Sequence, residues 1–219
     1  VFLFDAIEGV AEAGRKRVQH ALDGLVSRGR VAHEEAAAIG GRIHVVAGLE
    51  AFANAGLVVE AIVEDLEAKR AVLAKIEGIT ASDAILASNT SSISITSIAR
   101  NSKRPERVAG LHFFNPAPVM KLVEVVSGVA TASSVANTLV DTAKAWGKIP
   151  ATSRSTPGFI VNRVARPYYA EALRLFEEQV ADAATLDALL TGAGFRMGPF
   201  KLMDLIGHDV NYAVTVSVF

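Results

Sequence analysis

Leu57-Val58-Val59-Glu60-Ala61-Ile62-Val63 is an apolar run interrupted by one acid. Runs of this kind suit a parallel strand buried on both faces, since an exposed sheet face alternates polar with apolar residues. A helical segment follows Glu64-Asp65, then strands are expected at 85–88, 108–111, 121–126 and 148–154, with helices at about 94–96 onward and 133–146. Upstream, Val1-Phe2-Leu3-Phe4-Asp5 reads as a strand closed by an acid, residues 8–29 and 33–39 as a helical hairpin broken at Gly29-Arg30, and residues 43–46 as a further strand. Strands alternating with helices point to a doubly wound α/β sheet. After Pro157-Gly158 the period is helical throughout: 159–178, 182–190 and 199–206 onward. Two domains are therefore expected, 1–154 and 155–219.

The 219 residues carry a net charge of −1 and 51% hydrophobic content, which suits a packed globular chain and gives no basic surface for nucleic acid or a membrane. With no cysteine, thiolate catalysis, disulfides and cysteine metal sites are excluded; the five His lack the paired spacing of a helical metal site. No apolar run approaches the roughly 20 residues of a membrane span.

Chemistry concentrates between residues 88 and 124. His112 ends the apolar run 108–111 and is followed by Phe113, Phe114 and Asn115-Pro116, where a strand must stop. Glu124 lies among Leu122, Val123, Val125 and Val126, where an unpaired carboxylate is costly. Its nearby cations are His112 and Lys121. If the two strands pair antiparallel through the 115–120 turn, His112 and Glu124 face each other. A His held by a carboxylate is a general-base arrangement, the acid fixing the tautomer and stabilising the imidazolium. The same residues also suit a strand-end histidine and a solvated edge acid. Ser88-Asn89-Thr90-Ser91-Ser92 is, on its own, a cap for the helix that follows.

Four blocks, Ser88 to Ser92, Gly110-Leu-His-Phe-Phe-Asn-Pro116, Pro118-Val-Met-Lys-Leu-Val-Glu-Val-Val126 and Thr156-Pro-Gly-Phe-Ile-Val-Asn-Arg163, resemble in order the 3-hydroxyacyl-CoA dehydrogenase family. The resemblance implies a Rossmann-type NAD-binding domain followed by a helical domain. It makes His112 the base, Glu124 its orienting acid, and Ser91 and Asn162 the groups holding the substrate 3-oxygen. Asp5 becomes the ribose acid that ends the second strand of a dinucleotide-binding fold. Glu64, Lys69, Ser91 and Asn115 match positions along the cofactor cleft. On the helical hairpin, Arg28 is the best match for CoA phosphate, beside Arg15, Lys16, Arg17 and Arg30; Ala21 stands where the family has a serine contact.

The resemblance further implies a glycine fingerprint and first strand upstream of Val1 and more helices after Phe219, so this chain reads as a fragment that binds NAD poorly alone. It implies an acyl-CoA substrate, a homodimer formed through the helical domain, and a cytoplasmic bacterial enzyme. The blocks after residue 151 look most like enzymes of phenylacetate breakdown acting on 3-hydroxyadipyl-CoA. Alternatives are 3-hydroxybutyryl-CoA oxidation, a structural protein like lambda-crystallin, and an inactive fragment. Two departures stand out: Lys201 replaces an acid after Gly-Pro-Phe, and Gln179 sits where a Gly often ends the helix.

Overall fold

The computed structural model describes residues 1–218. The chain packs as two compact units, one of Val1–Gly56 with Lys75–Ala84, the other of Leu57–Ala74 with Ile85 onward.

In the first unit, β1 (Phe2–Leu3) runs parallel to β2 (His44–Val45). Between them lie α1 (Val10–Ser27) and α2 (His33–Gly40), which bury Ala11, Leu22 and Ala36. The hairpin break falls where expected. Gly29 takes φ +64°, its N–H donating to the Val26 carbonyl and the Arg30 N–H to the Leu25 carbonyl, the pairing that closes a helix C-terminus through a left-handed residue.

The second unit is built on a five-stranded sheet in sequential order: β3 (Leu57–Glu60), β4 (Ile85–Ser88), β5 (Val108–Phe113), β6 (Leu122–Ser127) and β7 (Ile149–Arg154). All neighbours are parallel except β5 and β6, which are antiparallel and place His112 opposite Glu124. Strand β3 stops three residues short of the expected run, because Glu60 turns its carboxylate back to accept the Ile62 N–H at 2.6 Å. The next helix, α3 (Leu66–Ile79), is capped by Asp65, which accepts from Ala68 N–H.

Side-chain alternation sorts the sheet into two faces. Ile85, Ala87, Ala109, Leu111, Val123 and Val125 pack on Val135 and Leu139 of α5 (Ser133–Ala145). The opposite face carries α4 (Ile95–Ala99), whose Ile95 rests on Gly110. A Cβ at Gly110 would come within 2.8 Å of Val126 Cβ and 3.0 Å of Ile95 Cδ1, so only glycine allows this approach. His112 and Glu124 share the parity of Gly110 and Val126 and so stand on the α4 face.

The remaining helices are α6 (Val161–Glu177), α7 (Ala183–Gly192), α8 (Pro199–Ile206) and α9 (His208–Val218). Asp182 caps α7 by accepting from Thr185 N–H, and Asp187 accepts from the first N–H groups of α8, those of Phe200 and Lys201. No helix among the described residues is long and apolar enough to cross a membrane.

Candidate active site

Parallel pairing brings the carboxyl ends of β3, β4 and β5 to one edge, with Glu60 opposite Ser88 and Ser88 opposite Gly110. Doubly wound sheets bind their ligands at this edge. The antiparallel turn delivers the start of β6 to the same edge, so His112 and Glu124 meet there despite opposite strand directions.

His112 Nδ1 lies 2.7 Å from Glu124 Oε2, and both side chains are buried. The other carboxylate oxygen accepts the N–H groups of Ile160 at 3.0 Å and Val161 at 2.9 Å, the first turn of α6. Burial alone would raise the Glu124 pKa. The hydrogen bond from His112 and the two backbone N–H groups outweigh it and hold the acid below its ordinary value. An ionised Glu124 requires the ring proton on Nδ1, which leaves the Nε2 lone pair able to accept a proton.

Rings of Phe114 and Phe159 flank the imidazole, with centroids 4.5 and 5.9 Å away. Phe159 is buried and holds φ +49°, a left-handed conformation costly for a side chain with Cβ. It follows Gly158 at φ +69°, and this turn is what aims Ile160 and Val161 N–H at Glu124.

Ser91 sits in the loop after β4. Its N–H donates to Glu64 Oε1 at 2.9 Å and its hydroxyl at 3.3 Å. The same oxygen accepts from Thr90 Oγ1 and from the N–H and hydroxyl of Ser92. Glu64 thus anchors the serine loop rather than starting α3. Desolvation works to raise its pKa, but Thr90, Lys69, Ser91 and Ser92 together lower it. Asn162, in the first turn of α6, donates from Nδ2 to the Ser91 carbonyl at 3.1 Å. His112, Glu124, Ser91 and Asn162 are therefore linked through the β4 loop and the α6 N-terminus.

Lys69 is 1% exposed. Its ammonium sits 2.8 Å from Glu60, 3.4 Å from Glu64 and 3.3 Å from the Ile62 carbonyl. Glu60 in turn accepts from Ser88 Oγ at 2.6 Å. Sequence reasoning missed this buried Glu60–Lys69–Glu64 chain; the one signal was an acid inside an apolar run nine residues before a lysine.

Asn115 is exposed in the turn after β5, where its bond to Pro116 is cis. Asn89, not singled out beforehand, ties the edge together: it accepts Phe113 N–H through Oδ1 and donates its own N–H to the Glu60 carbonyl. Asp5 and Arg28 belong to the first unit. Asp5 is exposed after β1 and accepts Ile7 N–H, while Arg28 is exposed at the end of α1 with its guanidinium over Gly24. Arg15 is committed to Glu12 at 2.6 Å.

The sequence profile of the 3-hydroxyacyl-CoA dehydrogenase NAD binding domain matches residues 1–156, and that of the C-terminal domain of the same enzymes matches residues 158–219. A 3-hydroxyadipyl-CoA dehydrogenase of Escherichia coli K12 is 52% identical across all of this chain, which covers 46% of it. The human mitochondrial hydroxyacyl-coenzyme A dehydrogenase is 51% identical over 154 residues, 70% of this chain and 49% of the human one. The chain thus spans about half the length of these curated relatives. Among solved structures, a 3-hydroxybutyryl-CoA dehydrogenase from Escherichia coli K12 superposes with a TM-score of 0.98 at 52% identity, covering 100% of this chain and 47% of that one. FadB2 of M. tuberculosis superposes at 0.95 and 36% identity, covering 100% and 78%. With both profiles in register and His112, Glu124 and the serine loop assembled at one sheet edge, this chain belongs to the 3-hydroxyacyl-CoA dehydrogenase family.

Proposed function

We propose that the protein oxidises a 3-hydroxyacyl-CoA to the 3-ketoacyl-CoA, with 3-hydroxyadipyl-CoA as its substrate. The observation that carries this reading is the His112–Glu124 pair, its acid held on the far side by the N-terminus of α6. His112 Nε2 takes the hydroxyl proton as the C3–H bond breaks. Glu124 stabilises the imidazolium through Nδ1–H. Ser91 and Asn162 hold the 3-oxygen and favour the charge that develops on it. NAD, when bound, supplies the hydride acceptor.

The carboxyl edge of β3 to β5 offers polar groups suited to such a cofactor: Glu64, the Ser91 hydroxyl and the exposed Asn115. Lys69 acts there by fixing Glu64, since its ammonium is already enclosed. We assign Asp5 to the adenosine ribose and Arg28 to CoA phosphate on the family resemblance. The domains 1–154 and 155–219 are supported by the two profiles meeting at 156–158. A homodimer formed through the helical domain and a cytoplasmic location are assigned on the family resemblance.

The test is NADH formation from 3-hydroxyadipyl-CoA and 3-hydroxybutyryl-CoA, comparing this chain with one extended upstream by the glycine segment. Activity with 3-hydroxyadipyl-CoA preferred is expected in the extended chain. Activity in neither would refute the reading, and preference for the C4 substrate would transfer it to 3-hydroxybutyryl-CoA, the substrate named for the E. coli structure.

A further inference from the structure

Arg166 is 4% exposed, yet no carboxylate pairs with it among the described residues. Its Nε donates to the Asn162 carbonyl at 3.2 Å. Its Nη1 donates to the carbonyl and Oδ1 of Asn211 at 3.0 and 2.8 Å and to Thr215 Oγ1 at 2.8 Å. The Tyr169 ring lies 4.8 Å from the guanidinium carbon. Nη2 has no acceptor among the described residues. Nη2 is not enclosed, since the one enclosed side-chain atom without a partner among the described residues is Ser153 Oγ; it keeps contact with the surface, while the rest of the fork is met only by neutral oxygens and arginine keeps its proton. Burial pushes its pKa below the ordinary arginine value, with the Tyr169 ring opposing.

Placement puts this free arm of the fork close to the proposed site. Helical side chains lean toward the N-terminus, and residues four apart share a face. The Arg166 guanidinium accordingly lies over the first turn of α6, against the Asn162 backbone, while the Asn162 amide is already engaged at Ser91. In an acyl chain, carbons 3 and 6 are three bonds apart, about 3.8 Å when extended, as for successive Cα atoms. The oxygens of a carboxylate on carbon 6 reach further still, which brings them within range of a guanidinium lying over the first turn of α6.

We propose that Arg166 is the specificity residue for a dicarboxylic acyl chain: Nη2 donates to the terminal carboxylate of a substrate whose 3-oxygen is held by Ser91 and Asn162. This rests on the dehydrogenase reading above. Asn211 and Thr215 of α9 fix one arm of the fork, leaving the other for substrate. A planar fork suits a carboxylate better than a lysine would.

The experiment compares kcat/KM for 3-hydroxyadipyl-CoA and 3-hydroxyhexanoyl-CoA, equal in length and differing in the terminal carboxylate, using the upstream-extended chain. The wild type is expected to favour the dicarboxylic substrate at least tenfold. Arg166→Gln is expected to lower that ratio by ten- to a hundredfold, the scale of one lost charge-assisted hydrogen bond. Arg166→Lys is expected to recover part of it. An unchanged ratio in Arg166→Gln, with both substrates losing rate alike, would make Arg166 a strut between α6 and α9 and overturn the proposal. A wild type without preference overturns it too, whether or not any variant folds. Oxidation of neither substrate would instead bring down the dehydrogenase reading itself.

Discussion

Replacing Glu124 by Gln removes one charge and almost no volume, and its outcome follows from how the carboxylate is shared. One oxygen faces His112 Nδ1 at 2.7 Å; the other faces the N–H groups of Ile160 and Val161 at 3.0 and 2.9 Å. All three are donors when His112 acts as a base through Nε2. A glutamine has one acceptor and one donor end, so it cannot satisfy both sides. With its oxygen toward His112, two buried N–H groups are orphaned at about 1–3 kcal/mol each. With its oxygen toward α6, every bond survives provided the ring proton moves to Nε2, and this cheaper arrangement disables the base. Turnover is expected to fall by about 10³–10⁴, the scale seen when a triad acid becomes an amide and the tautomer flips. Stability should fall less, by about 1–3 kcal/mol, as charge-assisted bonds become neutral ones.

The assays are NADH formation by the upstream-extended chain, nitrogen NMR of the His112 ring, and urea unfolding between pH 7 and 3. Because the folded Glu124 pKa is lowered, its stabilisation is complete above the unfolded value of about 4.3 and is lost as pH falls through the lower folded value. The stability gap between wild type and variant should therefore be constant near neutrality and close only below about pH 4.3. Turnover within tenfold of wild type, or a variant ring still protonated at Nδ1, would refute the shared-carboxylate argument.

Other outcomes follow from the same geometry. His112→Gln in the extended chain should lower turnover by at least about a hundredfold, the lower scale for losing a general base; near-normal turnover would remove His112 from that role. Lys69→Met strands the buried Glu60 and the partly buried Glu64 without their cation and should cost about 3–5 kcal/mol, read as a lower urea midpoint. An unchanged midpoint would mean that the pair contributes nothing. At the end of α6, Gln179 holds φ +58° while Gln179 N–H bonds Phe176 and Val180 N–H bonds Leu175, the pattern that Gly29 completes for α1. Gln179→Gly should raise stability by about 1 kcal/mol by removing the left-handed strain; a lower melting temperature would contradict that.

Much of this was legible because local rules and the fold agree. The 121–126 run and the His112 strand end, joined by a turn too short for a crossover, left antiparallel pairing as their natural geometry, and it puts His112 opposite Glu124. Helix α4 starts at Ile95, where expected, but its cap is Ser94 rather than a residue of the 88–92 cluster. What escaped detection depends on partners distant in sequence. Nothing near Glu124 reveals that its second oxygen meets residues 160 and 161. For Lys69 the acid inside the 57–63 run was a hint, but enclosure depends on Glu60 turning back across the start of α3, which periodicity does not show. Strand β3 ended early for the same reason: Glu60 was needed to turn inward rather than continue the ladder.

The two-sided seat of Glu124 makes its proton affinity a function of helix position. Seated on α6, the carboxylate shares its charge with two N–H groups and pulls less on the imidazole proton. Withdrawal of that helix by the length of a hydrogen bond would leave the carboxylate resting on His112 alone and raise its own pKa. Proton affinity and docking of α6 are thus one equilibrium seen from two ends. Substitutions that loosen the Gly158-Phe159 turn should raise the Glu124 pKa back toward its ordinary value, read by carbon NMR of the side-chain carboxyl; a carboxyl indifferent to the turn would uncouple them.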